Sequence, residues 1–180
     1  MPVVSFTGAE IDWLRRIAMT RLSAKQPRIN LDTYDGGKTL LDMHFEAVKA
    51  EHAVCAAVPG ARLDLSVSAG GQPRGNVILP DGRRANVKYR AERGRDYALK
   101  SRRFASFHGD IGVLVWPASV DGPAAAVQIV GAITRAQFMA TAVEVELRDG
   151  TPRLLVPHGA LAPIGHVLGT QPLVTQGSLF

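Results

Sequence analysis

The residues with the most chemical promise in this chain are Glu51, Asn76, Asn86 and Lys88. Residues 76–90 read as a β-hairpin: an apolar run, a Pro-Asp-Gly turn, then a strand of strict alternation. In that second strand Ala85, Val87 and Tyr89 point one way, and Arg84, Asn86, Lys88 and Arg90 point the other. A lysine two positions after a carboxylate, on the polar face of a twisted hairpin, is a common layout for cleaving a phosphodiester. Here amides, Asn76 and Asn86, stand in both places where that layout puts acids.

The elements that must position these groups are legible from caps and periodicity. Thr7 and Glu10 form a capping box, Phe6 and Ile11 a staple, and Ile11, Leu14, Ala18 and Leu22 continue at helical spacing to about Ala24. Residues 25–38 read as a loop. A second helix runs from about Thr39 to Val58 and stops at Pro59-Gly60. On it Glu51 lies about 60° from Val48, at the edge of the apolar stripe, whereas Glu46 lies about 160° away and faces solvent. An inward carboxylate must be paired or coordinate something, and a salt bridge to an arginine satisfies that need as well as a metal does.

After Gly60 the pattern turns to strands. Leu63, Leu65 and Val67 alternate with polar residues, Ile111–Trp116 reads as a strand buried on both faces, and Val127–Ile133 as another. Thr134 caps a short helix reaching Ala142, and Val143–Leu147 pairs with Arg153–Val156 around Arg148-Asp149-Gly150. Glu92 to Arg103 reads as helical or irregular, and the Leu161–Phe180 tail carries no clear element. The expected fold is a single α/β domain over residues 1–180, with a central mixed sheet of four to five strands flanked by helices.

Charge narrows the function classes. The chain of 180 residues carries a net +5, and the excess is local. From Arg74 to Arg103 ten Lys or Arg stand against three acids, a net +7, and the rest of the chain nets −2. Arg74, Arg84, Arg90, Arg93, Arg95, Lys100, Arg102 and Arg103 are therefore candidate nucleic-acid contacts, since focused positive charge attracts polyanions. The plain alternative is a solvated face kept charged for solubility. No run of apolar residues is long enough to cross a bilayer, the N-terminus is broken by Glu10, Asp12, Arg15 and Arg16, and the single Cys55 excludes an internal disulfide. A soluble, cytoplasmic protein is expected.

Other chemistries fit poorly. The five histidines and one cysteine show no zinc-ligand spacing, Gly70–Gly75 lacks the Lys-Ser/Thr of a phosphate-cradling loop, and no Gly-x-Ser-x-Gly elbow exists. Cys55 reads as packing, and His44 as a satisfied, partly buried residue.

The order is then a helix with inward Glu51, a loop, Asn76 opening a buried strand, a tight turn, and Asn86-Val87-Lys88. It resembles the PD-(D/E)xK, restriction-endonuclease-like nuclease superfamily, in which a helix glutamate precedes Asp…(Asp/Glu)-x-Lys. The segments GRRANVKYR, GDIGVLVWPA and VQIVGAITRAQFMA look like the strand leading into the lysine and the elements after it, so the resemblance covers about residues 40–140. It implies a restriction-endonuclease-like core, magnesium held by Glu51 and the residues at 76 and 86, and Lys88 orienting or activating the attacking water. Magnesium prefers anionic oxygens, so the two amides imply weak or absent metal binding. Three explanations fit them: deliberate isosteric inactivation, a natural relative that binds without cutting, or a ligand role taken over by Asp64, Asp81 or Asp110. The Pro-Asp-Gly turn already accounts for Asp81. The leading expectation is a DNA endonuclease-type hydrolase, disabled in this form. A non-catalytic nucleic-acid-binding module using residues 74–103 is the alternative, and a protein-interaction domain using the tail the weakest reading. Enzymes that cut both strands are commonly homodimers, although nothing here specifies an interface.

Overall fold

The structure is a computed structural model that describes residues 1–25, 39–66, 77–100, 107, 109–119, 126–146 and 152–169. Asn76, Arg74, Arg102 and Arg103 lie outside the described residues, as does the side chain of Lys100.

The capping box read from Thr7 and Glu10 forms, and a second one opens the next helix. Thr7 N–H donates to Glu10 Oε2 at 2.7 Å while Thr7 Oγ1 accepts from Glu10 N–H at 3.3 Å, opening α1 (Gly8–Lys25). Thr39 and Asp42 exchange the same pair of bonds ahead of α2 (Leu40–Ala57). Leu14, Ala18 and Leu22, four residues apart, are fully buried and form the inner stripe of α1. The middle of α2 is buried nearly all round, Val48 to Glu51 and Ala53–Val54, because it packs against α1 as well as the sheet. That double contact explains why charged Lys49 and Glu51 are 2% and 1% exposed.

The main sheet takes β1 (Val3–Ser5), β2 (Arg62–Leu63), β3 (Val77–Ile78), β4 (Arg84–Tyr89), β6 (Ile111–Pro117) and β7 (Ala126–Thr134), with β5 (Tyr97–Lys100) set elsewhere. Its order is β1-β7-β6-β4-β3-β2, mixed, with β4 and β6 parallel and the other pairs antiparallel. The α/β class is as expected, but the sheet has six strands rather than four or five. β1 was not anticipated, being only three residues long. A second sheet of three strands, β5-β9-β8, adds β8 (Val143–Glu146) and β9 (Pro152–Val156). The segment read as helical or irregular after Glu92 therefore contains a strand, because Tyr97 and Leu99 pair with Val156 and Leu154 to form a buried face. The tail also holds structure: Ala162 bridges Ala132, and α4 (Ile164–Leu168) buries Ile164.

The two faces of the main sheet are covered by different layers. Ala85, Val87, Ile111, Val113, Val115 and Ile129 meet the helices α1 and α2. Leu114, Trp116, Val130 and Ile133 meet the small sheet and Phe138 of α3 (Arg135–Thr141), whose Thr134 cap holds Gln137. Coverage on both sides is why Ile111 to Trp116 is one unbroken apolar run. The hairpin turn closes with Gly82 N–H to Leu79 O at 2.9 Å and Asp81 Oδ1 accepting from Arg83 N–H at 2.9 Å; Gly82, at φ 83°, takes a conformation other residues adopt at a cost. No described helix is long and apolar enough to cross a membrane.

Candidate functional site

β4 carries the site, and its alternation is as the sequence implies. Val77 opposite Ala85 turns to the helices, and Tyr89, beside Val115, packs on the same side. Asn86 and Lys88 sit beside Gly112 and Leu114 and so face the small sheet. That polar face is covered at Asn86, which is 5% exposed, and Tyr97 O–H donates towards Asn86 Oδ1 at 3.3 Å and its backbone O at 3.4 Å. Tyr97 lies so close over Gly112 that a Cβ there would stand 2.6 Å from the hydroxyl.

Glu51 approaches from the other side of the sheet, on α2. Its carboxylate is buried and paired: Arg21 Nη1 donates to Glu51 Oε2 at 2.5 Å. Arg21 Nη2 also donates to the backbone O of Asp64 at 3.0 Å. Asp64 Oδ1 accepts from the Ser66 N–H and hydroxyl, and its Oδ2 accepts from Arg84 Nη1 at 2.5 Å. Burial alone would raise the Asp64 pKa, but the bonds from Ser66 and Arg84 hold it below the usual carboxylate range. So two buried acids, Glu51 and Asp64, are tied into one chain by two arginines. Arg21 was missed by the sequence reading; its signal was its place one residue before Leu22, at the edge of the buried stripe of α1.

Glu46, expected in solvent, is half-buried instead. It pairs with the buried Lys49 at 2.7 Å, and the Lys49 ammonium also lies over the Phe45 and Tyr89 rings at 5.4 and 5.8 Å. The Tyr89 hydroxyl is pushed up by burial and by Glu46. Cys55 packs against the helical core, and burial followed by Glu51 pushes its thiol up to about 12.

Lys88 is the residue without a resolution of its charge. Its ammonium is desolvated, and among the described residues no group accepts a hydrogen bond from it. Burial lowers its pKa first, the neighbouring Arg90 and Arg153 lower it further, and Glu51 opposes them. Arg90 is similarly placed: burial and then Arg153 and Arg95 lower its pKa, while Tyr97 and Asp96 oppose. Arg90 Nη2 donates to Ala98 O at 3.3 Å, and among the described residues its Nε is buried with no partner.

Elsewhere among the described residues of the basic segment, Arg83 and Arg95 are paired locally. Arg83 pairs with Asp81 at 2.6 Å and Arg95 with Glu92 at 2.5 Å, both exposed, and Arg93 donates to Ala118 O. Asp96 accepts from His158 N–H at 2.9 Å and meets its Nδ1 at 3.0 Å. Of the four residues first singled out, then, Asn86 and Lys88 lie on the sheet face away from α2, Glu51 lies on α2 and acts on Lys88 only through its field, and Asn76 lies outside the described residues.

The magnesium implied by the resemblance finds no fit among the described residues. No three His, Cys, Asp or Glu side chains among them come together to hold a metal ion. Glu51 already holds a guanidinium, and Asp110, a replacement considered for the amides, accepts from Arg84 N–H at 2.8 Å. No family model matches this chain, and no curated protein is similar enough to it to count as a match.

Proposed function

We propose that this chain is a nucleic-acid-binding domain on a nuclease-type α/β scaffold, gripping DNA through the cations of β4 and the segment after it. The observation that carries this reading is a charge imbalance. Among the described residues Arg83, Arg84 and Arg95 each form an ion pair with a carboxylate and Lys88 and Arg90 form none, although the fields of Glu51 and Asp96 reach them. Phosphates are the natural counter-charge for such a strand. The test is binding of a labelled DNA duplex and single strand at several salt concentrations. Arg90→Glu and Arg93→Glu should each weaken binding at least tenfold and flatten its salt slope. Unchanged affinity in both would overturn the reading.

A second reading, a metal-dependent endonuclease with the restriction-endonuclease-like core, is favoured by one specific feature: Lys88, with a lowered pKa, has Glu51 in reach, in the order helix, strand, turn and strand. It requires acids where Asn76 and Asn86 now stand. The double change Asn76→Asp with Asn86→Asp, assayed for plasmid cleavage with magnesium or manganese, decides it; a variant that neither cuts nor binds the metals ends the catalytic case.

A further inference from the structure

The outer side of α1 carries a feature that the hairpin does not use. Leu14, Ala18 and Leu22 fill the inner stripe of the helix. Trp13, Arg16, Ile17, Thr20 and Arg21 form the stripe beside it, at spacings of three and four residues. Together with Leu65 they line an open cavity of about 290 Å³. Trp13 is 37% and Leu65 56% exposed, so two large apolar side chains from separate segments are left in water at one place.

The walls of this cavity are held by contacts already made. His52 meets the Trp13 ring in a T-shaped contact, 5.3 Å between centroids, and braces the indole from α2. Arg21 is clamped by Glu51 and by the backbone O of Asp64, so its guanidinium is a fixed wall. Thr20 Oγ1 donates to Arg16 O at 3.0 Å. The Arg16 side chain is different. It is exposed and, among the described residues, forms no ion pair, even with Asp12 one turn earlier. The cavity thus offers a braced aromatic ring, two aliphatic side chains and one cation at the rim.

Size and chemistry select the occupant. Small-molecule sites usually span about 300–1,000 Å³, so this cavity admits one ring system and little more. An amphipathic helix of a partner protein needs a groove with apolar anchors over several turns. Here the apolar lining is Trp13, Ile17 and Leu65. A flat heterocycle with an anion attached matches an indole that has a guanidinium three residues further along the helix. Nucleobases stack on such rings whatever the sequence, and a phosphate lies beside every base of a strand. Position agrees with this. Leu65 follows Asp64, whose carboxylate accepts from Arg84 Nη1, so the cavity adjoins the first residue of β4.

We propose that Trp13, Ile17 and Leu65 form a stacking pocket for one unpaired base of a nucleic-acid strand, with Arg16 on the phosphate beside it. This rests on the nucleic-acid reading above and narrows it to strands with an unpaired base, since the faces of a base inside a duplex are already stacked.

The test is titration of the whole chain with a single-stranded DNA, with the blunt duplex it forms with its complement, and with an acidic amphipathic peptide bearing one phenylalanine. Tryptophan emission and the anisotropy of labelled DNA are read in parallel. Trp116 is buried, so quenching by a ligand reports Trp13. The single strand should quench the emission and bind about fivefold tighter than the duplex, or more. Trp13→Leu should remove that preference and Arg16→Gln should reduce it, both leaving duplex affinity unchanged. Arg16 is exposed, so the second variant keeps its fold even where the first loses it. Equal binding of strand and duplex, with both variants like the original, overturns the pocket and leaves the nucleic-acid reading standing. A single-strand preference that survives both variants also overturns it. If DNA binds without quenching and the peptide quenches Trp13, the pocket docks protein and its assignment to a base is overturned. If neither form of DNA binds, the assignment and the nucleic-acid reading fall together.

Discussion

Lys88→Met should make this protein more stable and a poorer binder at once. Methionine keeps the length of the lysine stem beside Leu114 and removes an ammonium that, among the described residues, has no acceptor and is repelled by Arg90 and Arg153. Replacing a poorly compensated buried charge by an apolar side chain of similar volume is neutral to stabilising by about 1–4 kcal/mol. The pull of Glu51 and the remaining solvent contact put the expectation at the low end, about 1 kcal/mol at pH 7, or roughly 2–4 °C in Tm for a chain of this size. The pH dependence carries the sharper test. The folded pKa of Lys88 lies below its unfolded value of 10.5, so the penalty is full below the folded pKa. As pH rises from there to 10.5 the folded state sheds its proton first, and the original protein gains on the variant. Urea unfolding at pH 7 and at pH 10.5 reads both limits. A variant less stable by 1 kcal/mol or more at pH 7 would mean that Lys88 has an internal counter-charge, and the case for phosphate as its partner would lose its basis.

Arg21→Ala leaves Glu51 buried without its guanidinium and frees the Asp64 carbonyl, and it should cost about 3 kcal/mol in urea unfolding, with Arg21→Met plus Glu51→Leu recovering most of the loss. Gly112→Ala drives a methyl into Tyr97 O–H and should cost about 1–3 kcal/mol, with a change in tyrosine near-ultraviolet dichroism that Gly159→Ala, which meets open space, does not produce. Cys55, with its thiol pushed up to about 12, should resist an aromatic disulfide reagent at pH 8 in the folded protein and react fully once unfolded.

The helices were legible because their signals are local: Thr7 with Glu10 closes a capping box within one turn of chain, and Pro59-Gly60 stops α2 just past Ala57. The inward set of Glu51 was legible for the same reason, since one helix's periodicity decides it. Its partner was not, because Arg21 lies 30 residues away and only the packing of α1 on α2 brings it near. The alternation of β4 was readable too, but a period of two cannot say what covers each face. The lid over Asn86 is Tyr97, on a strand whose only pairing signal is a buried face shared with β9. Glu46 was misplaced because the periodicity counted only helix α2 and not the Tyr89 ring from β4 beside it.

The scaffold around the cations has a consequence for how binding should respond to salt. β4 is gripped on its apolar face by α2 and on its polar face by the small sheet, so Lys88 and Arg90 lose most of their conformational freedom on folding rather than on binding. Exposed Arg95, by contrast, can contribute only through a screened field, which fades within about 10 Å at 0.1 M salt. Affinity for a DNA strand should therefore fall steeply and continuously as salt rises, in the manner of counterion release, and Arg90→Glu should flatten that slope more than Arg95→Glu does. Equal slopes in the two variants would show that the strand is held at the surface by the exposed arginines and not by Lys88 and Arg90.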